Sequence, residues 1–118
     1  MNIEALRKYC MSKPAVTEGI PFSKLPDLLV FKVGGKMFVA TDLSNYDGIT
    51  IKANPEEIPN TVERYEEVNP PSYMSHKHWI HVSTNGSLAV ETIKKWIDTS
   101  YALVVKKMTK KERADLGL

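Results

Sequence analysis

The sequence predicts an α+β protein in which a long helix crosses an antiparallel sheet. Three observations carry that expectation: two β-rich runs folded around a glycine pair, a third run that alternates strictly, and an apolar stripe of helical period near the C-terminus. Taken from the start, Asn2 is placed to cap a first helix running from about Ile3 to Ser12. Its side-chain oxygen can accept from the free amides of the first turn, and Ile3, Leu6 and Cys10 give one apolar face. Pro14 stops that helix. Thr17-Glu18-Gly19-Ile20-Pro21-Phe22 reads as a loop that returns Phe22 to the core.

Leu28 to Val33, then Gly34-Gly35, then Lys36 to Thr41 has the form of a hairpin closed by a type I′ turn, which needs positive φ at both central residues. A two-residue loop pairs Val33 with Lys36, Phe31 with Phe38 and Leu29 with Ala40 on one face, and sets Lys32 opposite Met37 on the other. Asn45-Tyr46-Asp47-Gly48 turns the chain into Ile49-Thr50-Ile51-Lys52-Ala53, whose alternation buries one face and wets the other. An antiparallel meander follows.

Asn54-Pro55-Glu56-Glu57 reads as a helix start, with Asn at the cap, Pro where its missing amide costs nothing, and two acids at the positive end of the dipole. This second helix is expected to reach about Glu66, before Asn69-Pro70-Pro71-Ser72 breaks the chain. His78 to Ser83 alternates like a strand, and Asn85-Gly86 ends it. From about Leu88 to Met108, residues Ile93, Trp96, Ile97, Tyr101, Val104 and Met108 recur at helical spacing, leaving Lys94, Lys95 and Asp98 facing away. Thr109-Lys110-Lys111-Glu112 has capping-box spacing and suits a short terminal helix, although the Leu116-Gly117-Leu118 tail is equally suited to fraying.

At 118 residues, with 42% hydrophobic and 25% charged residues, the chain has the size and composition of one globular domain spanning 1–118. The lone Cys10 cannot form an intramolecular disulfide, and the opening Met-Asn-Ile-Glu-Ala-Leu-Arg-Lys holds an early acid and no long apolar run. A cytoplasmic location is expected, with no membrane partner. The formal charge of +2 is too small to name a polyanion as partner, but its distribution is uneven. Residues 1–39 hold six basic and three acidic side chains, residues 40–70 two and seven, and residues 91–118 seven and four. Basic ends around an acidic middle can present a positive face, and ordinary solvated surfaces produce the same counts.

No catalytic group stands out. His76, His78 and His81 lie close in sequence, but on an extended strand the first two share a face opposite the third, and no nearby Cys or acid completes a metal set. Cys10, among apolar neighbours, suits a buried inert thiol. Gly34-Gly35 joins two strands and does not open a helix, so it is a turn and not a phosphate cradle. The pairs Glu56-Glu57 and Glu66-Glu67 suit a solvated face better than acid/base work. The materials of nucleic-acid binding are present: Lys32 and Lys36 on the hairpin, Lys77 before His78-Trp79, and Lys106, Lys107, Lys110, Lys111 and Arg113 near the C-terminus. A two-stranded ribbon fits a groove, so the hairpin is a candidate wing. Against this, the terminal cations also complement a helix dipole, and Trp79 and Trp96 also fit a core.

Val30-Phe31-Lys32-Val33-Gly34-Gly35-Lys36-Met37-Phe38, Lys77-His78-Trp79 and Ser100-Tyr101-Ala102-Leu103-Val104 stand in an order that resembles the MmcQ/YjbR family of small bacterial proteins. Glu18 with Pro21-Phe22, Pro71 with Tyr73-Met74, and Lys110-Lys111 with Arg113 extend the likeness over nearly the whole chain. The resemblance implies a two-layer α+β fold with helices on one face of the sheet, of the kind called double-wing and usually labelled DNA-binding. It carries over to Lys32, Lys36, Lys77, His78, Trp79 and the basic tail, while Ser23 and His76 depart from the usual pattern. The expected protein is a non-enzymatic monomer without cofactor that contacts DNA phosphates through hairpin and C-terminal lysines. The alternative is a module that binds protein or peptide at a sheet edge or in the groove beside Tyr73 and Trp79. An enzymatic role would require a deep pocket gathering His78, Tyr73 and Glu18.

Overall fold

The computed structural model describes residues 1–118. In chain order its elements are α1 (Ile3–Met11), β1 (Val16–Gly19), β2 (Leu28–Val33), β3 (Lys36–Asp42), β4 (Gly48–Lys52), α2 (Ile58–Arg64), β5 (Val68–Asn69), β6 (Trp79–Ser83), α3 (Val90–Lys106) and α4 (Lys110–Leu116). The strands form one antiparallel sheet in the order β1-β2-β3-β4-β6-β5. Helical residues Leu6, Cys10, Ile58, Ile93, Ile97 and Val104 share one core with Phe31, Val33, Phe38, Val39, Ile49, Ile51, Ile80 and Val82 of the strands. All of that core lies on one face, which gives the expected two-layer α+β arrangement. Each fully buried aromatic or branched side chain in it contributes about 1.5–3 kcal/mol.

The first helix forms as its sequence dictates. Asn2 Oδ1 accepts from the Ala5 N–H at 2.8 Å, and Leu6 and Cys10 turn inward. Burial pushes the Cys10 thiol up to about 12, against a small opposing pull from Lys13. A native sample is therefore expected to resist a thiol-specific reagent at neutral pH and to react fully in denaturant; rapid labelling of the folded protein would contradict this burial.

The stretch expected to be a loop instead begins with an edge strand. Val16 to Gly19 pairs with Val33 to Val30, because β2 supplies a ladder that the Glu-Gly-Ile-Pro composition does not announce. Phe22 does not return to the core and stays 43% exposed. The hairpin forms with Gly34 and Gly35 at φ +57° and +79°, as its turn requires. Its register follows expectation at Val33↔Lys36 and Lys32↔Met37 and then shifts. A bulge sets Phe31 opposite Val39 and Leu29 opposite Thr41, which leaves Phe38 as the extra residue, fully buried and edge-on to Tyr101.

A bulge breaks ladder pairing, and Ser100 of α3 repairs it. Its Oγ donates to the Phe38 carbonyl at 2.6 Å and accepts the Lys52 N–H at 2.8 Å, tying helix, β3 and β4 together.

The hairpin is not a free wing. Both of its strands are interior, flanked by β1 and β4, and the turn sits on the C-terminal segment. A Cβ on Gly34 would lie 2.4 Å from Leu116 Cδ1 and 3.1 Å from Met108 Cε. The tail does not fray: α4 has a full capping box between Thr109 and Glu112, a left-handed Gly117 cap, and Leu116 and Leu118 packed against the core.

Two further expectations shift. Asn54 does not cap α2; its side chain accepts the Glu56 N–H at 3.1 Å in a local turn, and the helix begins one turn later with Pro59 in its first turn. The two-residue strand β5 lies where α2 was expected to lead into a break. Asp98 is exposed, as its spacing predicts, and there accepts from Tyr9 Oη at 2.6 Å and pairs with Lys13, pinning α1 to α3.

Candidate nucleic-acid interface

Antiparallel order brings the start of β3, the end of β4 and the start of β6 to one end of the sheet, and α3 finishes beside them. Lys36 opens β3, Lys52 closes β4, Trp79 opens β6 and Lys107 follows the last turn of α3. Lys52 and Trp79 are direct cross-strand partners, and the Lys52 ammonium lies 5.8 Å from the Trp79 ring centroid. Burial lowers the pKa of Lys52, and the nearby Lys107 and Lys36 lower it further. His78 is lowered as well, first by burial and then by Lys107, Lys52 and Lys77. The Nδ1 of His78 is shielded from solvent and has no hydrogen-bond partner. Both shifts come first from burial and second from repulsion among neighbouring basic groups, and a bound anion would relieve the second.

One carboxylate enters the group. Glu112 Oε2 lies 3.6 Å from Lys36 Nζ, and its pKa is held down first by the Thr109 N–H and then by Lys36. The remaining residues expected at a site are placed differently. Lys32, one residue before the end of β2 and opposite Met37, is one strand further from β4 and lines a separate cleft of about 220 Å³ with Thr17, Glu18, Ile20 and Pro21. Lys106, Lys110 and Lys111 are exposed and Arg113 is half-buried, and no hydrogen bond or ion pair joins any of the four to the cluster. Thus Lys36, Lys77, His78, Trp79 and Lys107 come together, while Lys32 does not.

Nothing in the sequence singles out Lys52, which with Arg64 is one of two basic residues in the acidic stretch 40–70. The alternation of its strand marks it as lying on the wet face, but its pairing with Trp79 depends on a sheet order that places β6 beside β4. His76 and His78 are not on a strand, since β6 begins at Trp79; His76 Nε2 lies 2.9 Å from the Pro71 carbonyl.

The sheet face away from the helices holds a second concavity. A cleft of about 270 Å³ is lined by Ala40, Asp42, Asp47, Thr50, Tyr73 and His81, among others. His81 Nε2 lies 3.2 Å from Asp47 Oδ1, and its Nδ1 lies 3.4 Å from Thr50 Oγ1. Tyr73 is 68% exposed. Glu18 is engaged elsewhere with Arg7 at 2.7 Å, so His78, Tyr73 and Glu18 do not meet in one pocket. No helix is long and apolar enough to cross a membrane.

A family model described as YjbR matches residues 11–103. The chain is 28% identical over 111 residues to the uncharacterized protein YbdF of Escherichia coli O157:H7, covering 93% of this chain and 89% of that one. It is also similar to a Deinococcus radiodurans protein of known crystal structure, with the domain DUF419: TM-score 0.91 and 31% identity over 99% of this chain and 88% of the other. A Pseudomonas syringae crystal structure shares the fold at TM-score 0.73, with 24% identity over 87% of this chain and 98% of its own.

Proposed function

The chain belongs to the YjbR family, and from that premise we propose that it is a cytoplasmic, non-enzymatic DNA-binding protein that holds backbone phosphates with little reading of base sequence. The observation that carries this is the convergence of Lys36, Lys52, Lys77, His78 and Lys107 at one end of the sheet. Lys36 and Lys107 lie within electrostatic range of Lys52, and Lys77 of His78, and four such ammonium groups displace condensed counterions from a phosphate backbone, so affinity falls steeply with salt. For four contacts, a fourfold rise in salt costs about a hundredfold in affinity. Fluorescence anisotropy with labelled DNA at two salt concentrations tests this, and an absence of binding at low salt would contradict it.

His78 adds a pH dependence. Its pKa is depressed in the free protein, and an anion placed beside it favours the charged form and raises that value. Binding therefore takes up a proton, and affinity is expected to climb as pH falls through and below the ordinary histidine value of about 6.5. His78→Gln removes that dependence, and a pH profile identical in the variant and the parent would count against this role.

A peptide-binding reading has one observation behind it. The edge of β1 is open, and Ile20 and Phe22, 49% and 43% exposed, follow it directly. Capture of a protein partner that survives nuclease treatment, through a surface lost on Phe22→Ser, would favour it over phosphate binding.

A further inference from the structure

Resting on the phosphate-binding reading, we infer that the preferred ligand is single-stranded DNA, with its phosphates on the lysine cluster and its bases along the face of the sheet that carries no helix. The elements that bear the cations do not suit a groove. They are a strand start, a strand end and a helix C-terminus, and the hairpin expected to enter a groove is interior to the sheet and seated on Met108 and Leu116. What borders the cations is a row of flat side chains. Trp79 lies under the Lys52 ammonium; His81, two residues further along β6, is on the same face and pairs with Thr50; Tyr73 stands exposed at the cleft that His81 also lines.

Alternate residues of a strand are about 6.7 Å apart, twice the roughly 3.4 Å between stacked bases, so a ring on such a row fits between successive bases of an unpaired strand. A duplex keeps its bases stacked on each other and offers no such faces.

Charge orders the row. Its lysine end attracts phosphate, whereas the cleft at its other end presents Asp42, Asp47 and Asn45. Those carboxylates repel a backbone laid across them, and they accept hydrogen bonds from the amino groups of unpaired bases. A strand entering with phosphates at Lys36, Lys52 and Lys107 and bases directed towards Tyr73 meets attraction at both ends. A duplex wide enough to reach both would bring phosphate against Asp47.

The test compares a labelled oligodeoxynucleotide of about 15 nucleotides, including cytosines, with the same strand annealed to its complement, at one low salt concentration. The expected result is at least about tenfold tighter binding of the single strand. It is expected to weaken about tenfold on Trp79→Ala and likewise on Tyr73→Ala, the loss of one base stack. Tyr73 is mostly exposed, so its variant reads stacking without disturbing the core. Equal or tighter duplex binding, or a Tyr73→Ala variant that binds single strands as the parent does, overturns the single-strand inference and leaves phosphate binding standing. Failure of both oligonucleotides to bind overturns both.

Discussion

Reversing two charges, Lys52→Glu with Lys107→Glu, should lower affinity for DNA by about a hundredfold or more while leaving the fold intact. Each lysine provides a hydrogen bond to a charged oxygen, worth about 1.5–3 kcal/mol, and each glutamate adds repulsion. Both side chains reach solvent, and Lys52 already bears the repulsion of Lys107 and Lys36, so their removal leaves no charge unpaired inside the protein. The control is Lys8→Glu, an exposed position on α1 whose surface cleft is shared with Glu4, Arg7, Met11 and Glu18 and with none of the cluster; it should change affinity by less than about threefold. Anisotropy at constant ionic strength reads both. A double variant within threefold of the parent would remove these two lysines from the interface.

Ser100→Ala should be the most destabilising single-atom deletion at the site, costing about 2–4 kcal/mol. The hydroxyl satisfies two backbone groups, the Phe38 carbonyl and the Lys52 N–H, that the bulge leaves without ladder partners. Each costs about 1–3 kcal/mol when stranded, and a methyl group serves neither. The midpoint of urea unfolding should fall with little change in slope. A loss under about 0.5 kcal/mol would mean that β3 and β4 hold their spacing without the helix. The same variant should loosen the Lys52 end of β4, linking core packing to the placement of the cations.

Local signals in the sequence specified much of this fold. The glycine pair, the alternation around Ile49 and Ile51, the Asn2 cap, the capping box at Thr109 and the stripe from Ile93 to Met108 each involve residues a few positions apart. What escaped depends on distant partners. Val16 to Gly19 becomes a strand only because β2 lies alongside, and the pairing of Phe31 slips to Val39 because Phe38 bulges into the core beneath Tyr101. Asp98 is exposed as helical spacing predicts, but the partners it takes there, Tyr9 and Lys13, come from the far end of the chain.

The site divides in the same way. The Lys77-His78-Trp79 run and Lys36 were visible as cations beside an aromatic and a turn. Lys52 was not, because its neighbours in sequence are the uncharged Ile51 and Ala53 and its neighbours in space are Trp79, Lys107 and Lys36. Lys32, next to the hairpin turn, shares that end of the sheet but pairs with Thr17 of β1 on its other side, one strand further from β4, and lies in a separate cleft with Glu18.

Chemical-shift mapping tests the central claim most directly. With isotopically labelled protein titrated with DNA at low salt, the largest changes should fall on Lys36, Lys52, Lys77, His78, Trp79 and Lys107, and fade as salt is added. Changes centred on α1, on α2 or on the cleft around Lys32, or no changes at all, would contradict a phosphate site at this end of the sheet.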